Sequence, residues 1–220
     1  MFAAVVALVC LGASHTADAS FINYSAKEIN VKIVYYGPGP SGRRNLEYIH
    51  GKVSPKTRGK LIKLATEDAN VMFFDFVPLA LGEIRGFKTR FHLYTIPSAR
   101  NYSASRKLIL KGVDGVVFVA SAATSQSATT LAHWKALKKD LAAAGYKRAL
   151  TPIIIQLDST GVKASALSEK ELRKLLRLKD ETIVVAKTGT GTGVFNTIKA
   201  IAKLCLMALR DGASDPAKAP

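Results

Sequence analysis

Residues 31–44 read VKIVYYGPGPSGRR, and the fold follows from them. VKIVYY is β-branched and aromatic, the composition of a buried strand. Gly37-Pro38-Gly39 ends it, because proline offers no ladder N–H and glycine admits a turn. Residues 45–50 then read as helix. A strand, a glycine-rich turn and a helix in succession are the setting of a phosphate-binding loop, G-x-x-x-x-G-K-[ST]. Gly37 and Gly42 stand at the required spacing, with Gly39 and Ser41 between them. Such a loop turns several backbone N–H groups toward one phosphate, and the helix N-terminus adds a favourable dipole. The remaining two residues break the pattern. Arg43 holds the Lys position; it keeps the charge, but its planar fork is a poor substitute for a compact ammonium. Arg44 holds the Ser/Thr position and has no oxygen for Mg²⁺. A Gly/Pro turn lacking that pair is more often structural than catalytic.

Outward from this stretch, strands and helices alternate. Residues 60–64 and 71–77 read as strands. FKTRFHLYT at 87–95 alternates apolar and polar, as a strand with one solvated face does. GVVFVA at 115–120 and PIIIQL at 152–157 are apolar throughout, as strands buried on both faces are. Residues 182–186 form the last strand. Helices are expected at 103–111, at 129–144 and after Ser168, which makes a capping box with Glu171. A closing helix at 194–209 places Phe195, Ile198, Ile201, Cys205 and Leu209 inward. This alternation predicts an α/β domain, doubly wound, with a mostly parallel sheet and helices on both faces. Ligands in such sheets bind at the carboxyl ends of the strands, so the loops after VKIVYY, FKTRFHLYT, GVVFVA and PIIIQL are where chemistry belongs.

Composition narrows the class. Of 220 residues, 48% are hydrophobic and 22% charged, which excludes a disordered chain. Two cysteines, Cys10 and Cys205, make no disulfide framework. No apolar run approaches the ~20 residues that span a bilayer. The net charge of +16 and a pI near 9.9 point to an anionic partner, an acidic protein or a membrane surface. The excess is spread along the chain and not held in a basic arm, so nucleic acid is not expected. Lys135, Lys138 and Lys139, and Lys170, Arg173, Lys174 and Arg177, read as solvated helix faces. Trp134 reads as core. His92 and His133 lack Cys or His neighbours and suggest no metal site. Residues 3–13 (AAVVALVCLGA) have the length of a secretory apolar region, and Ala17-Asp18-Ala19 has the form of a cleavage site, but no positive segment precedes them. A signal peptide, a short extension and a misplaced start all remain open for residues 1–19. A domain is expected over 20–210, with a polar disordered tail over 211–220.

The segments SFINYSAKEINVKIVYYGPG, KLIKLATE, FFDFVPLALGEIRGFKTRFHLYT and ASRKLILKGVDGVVFVA closely resemble the MglA family, bacterial Ras-like small GTPases of gliding motility and cell polarity. The resemblance runs from about residue 20 to 209. It implies a Ras-like P-loop fold, a GTP/GDP switch with Mg²⁺, a cytoplasmic location and a roadblock-type (MglB-like) partner or other polarity regulators. The family's phosphate-loop Lys falls on Arg43. Its following Thr pair falls on Arg44 alone, one residue short. The catalytic switch Arg falls on Asn70 and the Mg²⁺-contacting Thr on Val71. The second switch, T-x-P-G-Q, reads Thr95-Ile96-Pro97-Ser98-Ala99, replacing the γ-phosphate-sensing Gly and the water-positioning Gln. The guanine-reading N-K-x-D falls on Asp158-Ser159-Thr160-Gly161, losing the base-reading Asp. The last base loop falls on Ala186-Lys187-Thr188-Gly189. Lys88, Arg90 and Arg106 match the framework around the switches, where the partner docks by resemblance.

Phosphoryl transfer in this class is almost wholly positioning and charge stabilisation, and an arginine finger alone is worth ~10³ to 10⁵ in rate. With those positions replaced, hydrolysis is expected to be lost and no catalytic residue is assigned. The candidate binding residues are Gly37, Gly39, Ser41, Gly42, Arg43, Arg44, Asp158 and Lys187. The leading expectation is a pseudo-GTPase, a scaffold with no cofactor. The alternatives are an atypical switch that binds GTP and GDP with Mg²⁺ and hydrolyses weakly, with Asp158 or Lys187 partly serving the base, and an exported basic binding protein.

Overall fold

The computed structural model describes residues 21–65, 70–77, 83–84, 86–96, 103–146, 151–162 and 166–213. In chain order these form β1 (Phe21–Asn23), β2 (Glu28–Tyr36), α1 (Ser41–Lys52), β3 (Ile62–Ala65), β4 (Asn70–Phe76), β5 (Glu83–Ile84) and β6 (Phe87–Thr95). There follow α2 (Ser103–Leu110), β7 (Gly115–Ser121), α3 (Ser127–Ala143), β8 (Ile153–Asp158), α4 (Glu169–Leu176), β9 (Thr182–Ala186) and α5 (Val194–Ala213).

Their strands make one sheet in the order β3-β4-β6-β2-β7-β8-β9. β2 lies at its centre, parallel to β6 and to β7, and β8 and β9 continue in parallel. β3 and β4 run antiparallel at one edge. β1 pairs with the start of β2, and β5 with the start of β6. The alternation read from FKTRFHLYT holds: Thr89, Phe91, Leu93 and Thr95 of β6 are buried and the residues between them are not. β8 is buried at every position, as its apolar run predicts.

Each face of the sheet carries its own core. On one, Val31, Ile33 and Tyr35 of β2 meet Leu46 and Ile49 of α1 and Ile198, Ile201 and Cys205 of α5. On the other, Val34 and Tyr36 meet Leu110 of α2, Trp134, Leu137 and Leu141 of α3, and Leu172 and Leu176 of α4. Gly115 lets α5 lie close to β7, because a Cβ there would collide with Cys205 Sγ. Trp134 packs as expected, and its indole N–H donates to the Leu176 carbonyl at 3.0 Å. Arg106 of α2 forms a buried pair with Asp140 of α3 at 2.7 Å, and the Tyr36 hydroxyl donates to the same carboxylate at 2.8 Å.

The chain leaves β2 through α1 toward one edge and returns through β6 and α2 to β7 on the other side. That reversal makes the carboxyl end of β2 the switch point where such sheets hold ligands. Ser168 and Glu171 form the expected capping box. β1 and β5, too short to show a period, were not anticipated. α5 continues to Ala213, three residues into the stretch expected as tail. The expectations for residues 1–19 (with Cys10), for Pro97, Ser98 and Ala99, and for residues 214–220 lie outside the described residues.

Candidate functional site

The loop between β2 and α1 is only four residues long, residues 37–40. Gly37 is held there by packing, since a Cβ would strike the Val119 carbonyl of β7. Gly39 is held by conformation, with φ at +69°. Gly42 is held by neither. A Cβ there would meet Tyr35 Cβ at 3.6 Å and Thr95 Cγ2 at 3.7 Å, ordinary contacts. Pro38 and Pro40 have no N–H, so the loop donates only from Gly37 and Gly39 before α1 begins. Pro40 caps α1 without a side-chain hydrogen bond. Arg43 and Arg44 fall in the first turn of α1, exposed to solvent, and enter no ion pair among the described residues.

Asp158, at the carboxyl end of β8, is nearly fully buried and ties three loops together. One carboxylate oxygen accepts from Ser41 Oγ at 2.6 Å and Thr188 Oγ1 at 2.9 Å. The other accepts from Thr160 N at 3.1 Å, Thr160 Oγ1 at 2.6 Å and Thr188 N at 3.0 Å. Burial pushes its pKa up, but the hydrogen bonds from Ser41, Thr160 and Thr188 outweigh that and hold it below the ordinary carboxylate value.

Beneath it lies a second buried tie that the sequence reading missed. Asn45 Nδ2 donates to Gln156 Oε1 at 2.7 Å and to the Ser41 carbonyl at 2.9 Å. Gln156 Nε2 donates back to Asn45 Oδ1 at 3.0 Å and on to Thr197 Oγ1 at 2.9 Å. α1, β8 and α5 are thereby joined under the loop. The available signal was Gln156 itself, one amide in the apolar run PIIIQL.

The other positions fall around this centre. Lys187 follows β9 with an exposed side chain, while its backbone N–H donates to the Thr192 carbonyl at 2.9 Å. Gly161 is exposed and left-handed, with φ at +74°. Asn70 opens β4, and Val71, half-buried, pairs with Leu64 of β3. Thr95 Oγ1 accepts from Met72 N at 2.8 Å and so joins β4 to the end of β6. The structure thus gathers Ser41, Asp158 and Thr188 and leaves Arg43, Arg44 and Lys187 at the rim.

A Mg²⁺-nucleotide needs oxygen ligands for the metal and open acceptors for the base. Arg43, Arg44 and Val71 supply no metal ligand, and Asp158 already accepts five hydrogen bonds. The set does not fit that group. Among the described residues no cluster of three or more His, Cys, Asp and Glu could hold a metal, and no helix is long and apolar enough to cross a membrane.

Two residues expected at a partner interface are engaged internally. Arg106 is the buried partner of Asp140. Arg90 bridges Glu28 and Asp75, each at 2.7 Å. Lys88 alone of the three is exposed and enters no such pair among the described residues.

Compared with known proteins, the chain is 51% identical over 194 residues to the mutual gliding-motility protein MglA of Myxococcus xanthus (strain DK1622), a match that covers 88% of this chain and 99% of that protein. No protein-family model matches the chain.

Proposed function

Because the chain belongs to the MglA family of Ras-like small GTPases, we propose that it is a pseudo-GTPase of a gliding-motility or cell-polarity system, a protein-binding scaffold held in one conformation. The domain that carries this role spans residues 20–210, acts in the cytoplasm and engages a roadblock-type, MglB-like partner or another polarity regulator.

One observation carries the reading. Asp158 stands where the family reads the nucleotide base, and its oxygens are taken by Ser41, Thr160 and Thr188 of the chain itself. The three loops that a nucleotide would bring together are already joined. The framework strands stay apolar while the chemical positions are replaced, as selection for a surface and not for turnover would leave them.

A second reading, an atypical GTP-binding switch with weak hydrolysis, has one observation in its favour. Gly42 sits in the first turn of α1 with room for a Cβ, and glycine there costs the helix ~0.5–1 kcal/mol relative to alanine. A bare backbone kept at that cost suits close approach of a phosphate to Gly37, Gly39 and Gly42, with Arg43 beside it.

Titration of the full chain with fluorescent GDP and GTP, with and without Mg²⁺, separates the two. The scaffold reading expects no binding at high micromolar nucleotide. Guanine-specific binding in the micromolar range or tighter would sink it and establish the switch.

A further inference from the structure

Between α3 and α4 runs an open cleft of about 630 Å³. Leu131 and Leu175, both half-buried, line its floor beside the buried Trp134. Its walls are basic. Lys135 and Lys138 of α3 stand on one side, Lys174 and Arg177 on the other, all four exposed. None of the four enters an ion pair among the described residues. Glu171 is the one carboxylate among the lining residues, and it is spent on the helix cap, accepting from Ser168 N at 2.8 Å and Ser168 Oγ at 2.7 Å. The acid of α3, Asp140, is turned away into the pair with Arg106.

We propose that this cleft docks an acidic amphipathic segment of a partner protein, with carboxylates against the lysine and arginine walls and leucine-sized side chains on the floor. Two facing rows of cations repel each other across the cleft, and a partner's carboxylates relieve that repulsion. The half-buried leucines select a segment with an apolar stripe, the helix-in-groove mode of recognition. A flat anionic bilayer reaches the cations and leaves the floor uncovered. The site is separate from the β2–α1 loop and holds whether or not a nucleotide binds there.

The chain's single tryptophan lies in this cleft, with Lys138 Nζ 5.6 Å from its ring centre. The indole is only 2% exposed, so occupancy is read from the anisotropy of a fluorescein label carried by the probe. The probe is a tryptophan-free helical peptide with leucines at i, i+3, i+4 and i+7 and glutamates elsewhere, titrated into the full chain. The proposal expects a saturable rise in anisotropy, with an affinity that weakens as salt rises. Lys135→Glu with Lys138→Glu, and separately Lys174→Glu, should weaken the affinity roughly tenfold or more. Lys199→Glu with Lys203→Glu on α5, the same change in net charge, should leave it unchanged. All of these side chains are exposed, and a circular-dichroism melt checks that each variant folds. The proposal falls if a polyglutamate without leucines binds as tightly, if the α5 variant weakens binding equally, or if no peptide binds. It also falls if vesicles of phosphatidylcholine with phosphatidylglycerol sediment the chain and the peptide does not bind, which would make the face a membrane surface.

Discussion

Two buried aspartates set opposite limits on stability. Asp158 is the acceptor for Ser41, Thr160 and Thr188, and Asp158→Ala leaves those donors without it. We expect a loss of about 2–4 kcal/mol, read as a lower urea midpoint at unchanged slope. Asp158→Asn, which keeps one acceptor oxygen, should cost less. Since its folded pKa lies below the unfolded value of about 3.9, its contribution is present above that value and is lost as pH falls through the folded pKa. Asp114 works the other way. Burial pushes it up to about 7, against the Lys32 N–H that donates to it at 2.7 Å and the Lys32 charge. Its stabilising protonated form is complete below about pH 3.9 and is lost as pH rises toward about 7. Asp114→Asn should therefore remove the decline between those pH values and raise stability at pH 8 by up to about 4 kcal/mol, while the acid limb from Asp158 stays. A urea series across pH on both variants checks each sign. A pH profile for Asp114→Asn that still declines between pH 4 and 7 would refute the assignment.

At the level of elements, the strand-to-helix turn has glycines of three kinds, and alanine substitution tells them apart. Gly37→Ala places a Cβ into the Val119 carbonyl and should cost at least about 3 kcal/mol or abolish folding, since backbone cannot yield as a side chain does. Gly42→Ala meets only ordinary contacts and should stabilise α1 by about 0.5–1 kcal/mol, visible as a higher melting temperature. Strands were legible wherever side-chain chemistry repeats along the chain. β6 and β9 begin and end where their sequence patterns do, and α4 starts at its capping box. The short antiparallel pieces β1 and β5 were not legible, because their existence depends on a neighbouring strand and not on their own composition. The ties at the candidate site were hidden for the same reason. Ser41 and Asp158 are 117 residues apart, and Asn45 and Gln156 are 111 apart. Asp158 stood out only as a change from the family's pattern, which says what it no longer reads and not what it holds. Arg106 shows the converse: placed at a partner surface by resemblance, it is buried against an aspartate on the next helix.

For the whole molecule, the question is whether folding and nucleotide binding are linked. Any ligand that binds only the folded state adds RT ln(1 + [L]/Kd) to stability. At about 1 mM Mg²⁺-GTP, a site with Kd near 10 μM would add about 2.7 kcal/mol. For a chain of this size that raises the melting temperature by roughly 5–10 °C. The scaffold reading expects no shift, because Asp158 already joins the loops after β2, β8 and β9 through Ser41, Thr160 and Thr188. Arg43→Lys alone should not create a shift either, since Arg44, Val71 and Gly161 would still lack the metal ligands and the base acceptor. The net charge of +16 supplies a built-in control. It attracts any polyanion, so a small rise in melting temperature that ATP, GTP and tripolyphosphate produce alike, and that disappears with added salt, is surface electrostatics. A rise specific to guanine nucleotides, requiring Mg²⁺ and persisting in salt, would mean that the loops are joined by Asp158 only until a nucleotide displaces it.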